Sequence, residues 1–116
     1  MKIERKETLN EDGSIGYIET IYKSDNILKT TYFPKDLRLY IAFNRGQTYS
    51  YGNITPEFYE EFENAESQGK FFFKNIKLHA DKFPYRKEFT LYPNEIEETK
   101  KIIKENINEE ENEQNE

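Results

Sequence analysis

Aromatic and basic side chains recur together through the middle of this 116-residue chain. Tyr40, Tyr49 and Tyr51 fall on short apolar runs with Arg38 and Arg45 close by. Lys70, Lys74 and Lys77 follow at helical spacing, and Arg86 comes directly after Tyr85. Such a set has one evident chemistry. Rings offer flat faces to nucleobases, worth about 1–3 kcal/mol per stacked base, and cations hold the phosphates between them. The competing account is packing. With nine Phe and nine Tyr in a chain whose hydrophobic content is only 34%, the same tyrosines can serve as core.

Other chemistries are poorly provided for. His79 is the single histidine and there is no cysteine, so nucleophilic catalysis has four serines to choose from, none on a nucleophile elbow. Ordinary zinc sets are excluded by the same count. The Glu109–Glu111 run lacks the turning glycine and ligand spacing of a calcium loop. Glu60 and Glu61 are adjacent and diverge on a helix, which leaves no acid–base pair. Gly46, Gly52 and Gly69 are isolated and make no phosphate loop. A non-catalytic protein without metal or cofactor is expected. The first residues lack the apolar run of a secretory leader, and nothing approaches the roughly 20 apolar residues of a membrane span. The expectation is a cytoplasmic protein with no membrane partner.

The elements that must position these residues follow from periodicity. Ile3–Leu9 and Ile15–Tyr22 flank Asp12-Gly13 and read as a β-hairpin. Asn26–Phe33, Leu37–Phe43 and Gln47–Tyr51 read as three further strands, broken by Pro34-Lys35-Asp36 and by Asn44-Arg45-Gly46. Alternation puts Leu37, Leu39, Ile41 and Phe43 on one face of their strand and Arg38, Tyr40 and Ala42 on the other. It likewise puts Tyr49 and Tyr51 on a shared face. The period then changes. Thr55-Pro56-Glu57 starts a helix carrying Phe58, Tyr59 and Phe62, and Ser67 caps a second with Phe71, Phe72 and Ile76 on one side. Arg86–Leu91 is a last extended segment. From Pro93 a helix with Ile96, Ile103 and Ile107 runs into a Glu-, Asn- and Gln-rich tail, which reads as disordered or as frayed helix. The fold class is α+β: a small antiparallel meander packed by one or two short helices. Residues 1–23 form a hairpin extension, 24–92 the central domain, and 93–116 an acidic helix and tail.

Charge is unevenly spread. The formal net charge is −6, and residues 93–116 alone hold three Lys and nine Glu. Residues 24–92 hold ten basic and nine acidic side chains, so a local basic face is compatible with an acidic chain. Two functions compete. One is a single-stranded RNA- or DNA-binding module using Tyr40, Tyr49 and Tyr51 for stacking and Arg38, Arg45, Lys70, Lys74 and Arg86 for phosphates. The other is a protein–protein module, such as a phage or mobile-element regulator that engages a host protein through residues 93–116. The near-heptad isoleucines could also pair helices between subunits.

The order of motifs resembles the KTSC domain. The residues concerned are Ser24-Asp25-Asn26-Ile27, Leu37 to Phe43, Gly46, Tyr49-Ser50-Tyr51, Ile54-Thr55-Pro56, Tyr59, Ala65 to Phe72, Lys74-Asn75-Ile76 and Phe83-Pro84-Tyr85. That family is a short module found alone in bacterial and phage proteins and at the C-terminus of some lysyl-tRNA synthetases. Its central Tyr-x-Tyr motif is matched here by Tyr49-Ser50-Tyr51. The resemblance implies a binding module, with RNA as the suggested ligand. This chain departs from the pattern at Phe73, where the family usually has Asn, and in the longer stretch between Ile76 and Pro84.

Overall fold

In the computed structural model, residues 1–114 are described. Gly13 adopts φ +86 in the turn that joins β1 (Lys2–Leu9) to β2 (Ile15–Tyr22), a backbone region that glycine enters without steric cost. Asp12 Oδ1 accepts from the Ser14 amide at 2.9 Å and closes the turn. Then follow β3 (Ile27–Phe33), β4 (Arg38–Phe43) and β5 (Gln47–Tyr51). After two helices comes β6 (Tyr85–Thr90). Every strand pairs antiparallel with its neighbours in chain order, β1-β2-β3-β4-β5-β6, so β1 and β6 are the edges.

The N-terminal hairpin is continuous with this sheet rather than beside it. Ile18 to Ile21 of β2 pair with Tyr32 to Lys29 of β3, and Ile18 and Tyr22 are buried in the main core. Leu37, assigned above to a strand face, instead sits in the β3–β4 turn at φ +50 and is exposed. Its carbonyl accepts the Ile54 amide at 2.8 Å, which holds this strained corner in place.

Helix α1 (Pro56–Glu63) starts as its sequence dictates. Thr55 Oγ1 accepts from the Phe58 amide at 3.2 Å, and Pro56 occupies the first turn. Helix α2 (Gln68–Asn75) is capped by Ser67 Oγ accepting from the Lys70 amide at 3.2 Å, and a 3-10 turn, Lys77–His79, follows. Both helices cover one face of the sheet, called here the front. Tyr59, Phe62, Phe72 and Ile76 pack there on Tyr22, Tyr32, Leu39, Ile41 and Tyr51. Aromatic contacts dominate: Tyr32 stacks on Tyr59 at 4.4 Å, and Tyr22 meets Phe62 edge-on at 5.8 Å. The buried hydroxyls are bonded. Tyr32 donates to the Ile54 carbonyl at 2.7 Å, Tyr59 lies 3.0 Å from Thr20 Oγ1, and Tyr22 lies 3.2 Å from Thr30 Oγ1.

Helix α3 (Pro93–Gln114) crosses the back of the sheet. Ile96 and Ile103 pack on Leu28, Ala42 and Leu91. The isoleucine stripe is therefore used within the chain, which withdraws it from the helix pairing between subunits considered above. The turn at Gly46 is shaped by this docking. Gly46 has φ +95, and a Cβ there would lie 2.7 Å from Ile96 Cδ1. Helix runs to Gln114, through much of the tail expected to be disordered or frayed; residues 115–116 lie outside the described residues.

One charged group is buried among the described core residues. Glu63 at the end of α1 is 4% exposed, and its Oε1 lies 2.6 Å from Arg5 Nε and 3.5 Å from Lys2 Nζ, both on β1. The Arg5 contact is an ion pair without hydrogen-bond alignment. It ties the hairpin to the helix layer. Arg5→Ala leaves a buried carboxylate without its main partner and is expected to cost about 1–3 kcal/mol, toward the lower end because water reaches Arg5. Chemical denaturation checks this. An unchanged midpoint in Arg5→Ala refutes the tie.

Burial also pushes the hydroxyl pKa of Tyr32 up to about 12, and those of Tyr22, Tyr51 and Tyr59 up from their ordinary 10.0. A folded value above the unfolded one favours the protonated form in the fold. The resulting stability is complete below pH 10 and is lost as pH rises beyond it. The tyrosinate absorbance of these four is expected to appear together with loss of the sheet's circular dichroism; titration ahead of unfolding contradicts the burial.

Candidate nucleic-acid interface

The pleat of β5 separates its last three residues. Tyr49 and Tyr51 face the front, and Ser50 between them faces the back. Tyr51 is 6% exposed, with its ring 5.3 Å from Phe72 of α2. Tyr49 is half-buried and meets Phe43 edge-on at 6.2 Å. Tyr51 is thus largely a core residue, and only part of the Tyr-x-Tyr pair is open to a ligand.

What completes the front site comes from later in the chain. Tyr85, the first residue of β6, is 59% exposed, and its ring lies 6.3 Å from Tyr49 and 6.2 Å from Tyr51. Its approach is set by the segment before it. Gly52 N donates to the Pro84 carbonyl at 2.9 Å. Asn53, at φ +60, donates from Nδ2 to the Lys82 carbonyl at 3.1 Å. Asn tolerates this left-handed conformation better than most residues. Between β5, β6 and the end of α2 lies a groove of about 480 Å³ walled by the rings of Phe43, Tyr49, Tyr51, Phe72, Phe83 and Tyr85. Among the described residues, Lys77 is the one charged side chain lining it. Lys77 Nζ lies 5.5 Å over the Phe73 ring, and Lys87 is the register partner of Tyr49 on the same face. Burial raises the Tyr51 hydroxyl pKa, with Tyr49 and Tyr85 adding to it.

On the back, Ser50 is fully buried and joins two cations through an acid. Arg38 Nη1 donates to Ser50 Oγ at 2.7 Å, Ser50 Oγ donates to Glu88 Oε1 at 2.6 Å, and Arg86 Nε lies 3.3 Å from the same oxygen. Tyr40, in register with Ser50, is half-buried. Its ring stands edge-on to Phe33 at 5.5 Å, and Phe33 reaches Tyr17 at 5.6 Å.

The eight residues singled out from the sequence are therefore divided. Tyr49 and Tyr51 share the front groove, and Arg38, Tyr40 and Arg86 share the back face. Arg45 is exposed in the β4–β5 turn, and Lys70 and Lys74 are exposed on α2; these three line neither site. Sequence reasoning missed Tyr85 as a site residue and left Lys77 out of the ligand set. The signal for Tyr85 was weak, because its place beside Tyr51 depends on β5–β6 pairing across an intervening helical layer. A larger cleft of about 650 Å³ lies between the hairpin and α1. Its lining includes Lys2, Arg5, Glu60 and Glu63, which compensate one another.

Comparison with known proteins places this geometry in a family. The model of the KTSC domain matches residues 23–79. The crystal structure of the KTSC domain protein YPO2434 from Yersinia pestis is similar at a TM-score of 0.55 and 32% identity, over 61% of this chain and 96% of that one. No curated protein matches the chain. The match begins at the end of β2 and ends at the 3-10 turn, so it contains Tyr49-Ser50-Tyr51 and both short helices, and leaves out the hairpin, β6 and α3. With that order of elements and that identity across nearly the whole of a KTSC protein, the chain belongs to the KTSC domain family.

Proposed function

We propose that this KTSC domain is a non-catalytic, single-stranded nucleic-acid-binding module whose front groove accepts a base against Tyr49, Tyr51 and Tyr85. The observation that carries this reading is the groove's lining: six aromatic rings with a lysine at the rim. Its volume is within the roughly 300–1,000 Å³ of ordinary ligand sites. An unpaired base splayed from its strand stacks on such rings with little regard to sequence, and Lys77 and Lys87 are placed for the phosphates beside it.

Electrostatics favours the front face. The acidic helix α3 lies behind the sheet, against Leu28, Ala42 and Leu91. Packed layers are separated by roughly 10 Å, while the Debye length at physiological salt is about 8 Å. Its carboxylates are therefore largely screened from a phosphate in the front groove. The protein-partner alternative, a regulator engaging a host protein through residues 93–116, keeps the exposed acids Glu97 and Glu98 but loses the apolar stripe that would anchor such a contact.

Fluorescence anisotropy with labelled RNA and DNA homopolymers at low salt tests the reading. Wild type is expected to bind, with affinity falling as salt rises. Tyr85→Ala removes an exposed ring and is expected to weaken binding about tenfold, one base stack's worth. Lys77→Ala is expected to lower the salt slope by about 0.7, one phosphate contact on a single strand. No binding at low salt, or full binding by Tyr85→Ala, refutes the proposal.

A further inference from the structure

Edge strand β6 carries a residue of the front groove directly beside one of the two back-face arginines. Tyr85 belongs to the groove, Arg86 is the register partner of Ser50 on the back, and Lys87 is the register partner of Tyr49 on the front. Among the described residues, no strand lies beyond β6 in the sheet. From this we infer that a single strand of nucleic acid does not stop at the groove but passes over the open β6 edge, placing its next phosphates on Arg86 and Arg38 and a second base on Tyr40. The inference rests on the groove reading and extends its footprint to both faces.

Charge and exposure support the path. Arg86 is solvent-exposed on β6, and Arg38 and Tyr40 are half-buried on β4, two strands in, so each presents surface to a ligand that crosses from the edge onto the back. Basic side chains at the edge and rim are Lys77, Arg86 and Lys87, with Arg38 behind them. On the back, Glu88 is the counter-charge of Arg86. The path ends at Tyr40, whose cleft is also lined by Glu19, Lys29 and Glu95, because the two carboxylates there repel further phosphates. Glu88 sets the strength of the back half. Its Oε1 is 3.3 Å from Arg86 Nε and accepts the hydrogen bond of Ser50 Oγ, to which Arg38 donates, so it competes with a phosphate directly for Arg86 and through Ser50 for Arg38.

That competition supplies a gain-of-function test on the full chain. Labelled oligothymidylates, a trinucleotide and an octanucleotide, are titrated against wild type, Glu88→Gln, Arg86→Ala and Tyr85→Ala. Glu88→Gln keeps a partner for Ser50 while removing the charge. It is expected to tighten the octanucleotide at least threefold and leave the trinucleotide, which fills only the groove, unchanged. Arg86→Ala is expected to weaken the octanucleotide severalfold and lower its salt slope by about 0.7. Tyr85→Ala is expected to weaken both. If Glu88→Gln and Arg86→Ala behave as wild type on the octanucleotide while Tyr85→Ala weakens both ligands, the edge path is overturned and the groove stands. If neither ligand binds, or Tyr85→Ala changes neither, the groove and the path both fall.

Discussion

Tyr32 and Tyr59 stack face to face at 4.4 Å, and much of the molecule is arranged to permit this contact. A chain poor in aliphatics fills its interior with rings, and tyrosine rings bring hydroxyls with them. A buried hydroxyl left without a partner is destabilising by roughly 1–3 kcal/mol. Here each of three is met by a different element: Thr20 on β2, Thr30 on β3, and the Ile54 carbonyl in the loop before α1. Those bonds fix the hairpin, the centre of the sheet and the first helix relative to one another. They also explain threonines at inward positions where a β-sheet core more often has Val. Because α1 and α2 are short, their cover reaches Tyr51 at the end of β5 and stops before β6. The groove is the place where aromatic packing continues after the helices end.

This origin explains how much of the site could be read in advance. Alternation along β4 and β5 and the caps at Thr55 and Ser67 are local signals, and the strands and helices they predict are present. Local signals do not say which face of one strand joins which face of the next. Tyr40 and Tyr49 look equivalent on paper, each an aromatic residue in a short strand near an arginine. Register decides otherwise: Tyr40 pairs with Ser50, so it shares the back with serine rather than the front with Tyr49. Two further features were beyond local reach. Leu37 takes a left-handed conformation that no leucine advertises. The Ile96–Ile103 spacing suits a coiled coil as well as a sheet face, and only the small residues Gly46 and Ala42 opposite it show which surface receives the helix.

Charge is segregated by the same architecture. The acidic residues of α3 are held behind the sheet by Ile96 and Ile103, and Glu63 is enclosed between hairpin and helix by Arg5 and Lys2. A net charge of −6 therefore does not describe the surface around the groove, where the lining charge is Lys77. Average charge argues against a nucleic-acid ligand for this chain, whereas the position of each charge relative to the sheet argues for one on the front.

The β6 edge raises a question that the same residues answer. An exposed edge strand with apolar side chains is a template for association, and Tyr85 and Phe89 are each 59% exposed there. Natural edges are blunted by charges and bulges. β6 has both: Arg86, Lys87 and Glu88 occupy its middle, and the pairing shifts between the Gln47–Thr90 and Tyr49–Lys87 partners. These devices hinder a further β-strand, which needs a flat, evenly spaced row of amides. They place no such restriction on a nucleic-acid strand, which brings phosphates for the cations and bases for the rings. The charges and the bulge thus disfavour the addition of a β-strand at this edge and leave its rings and cations accessible to the ligand proposed above.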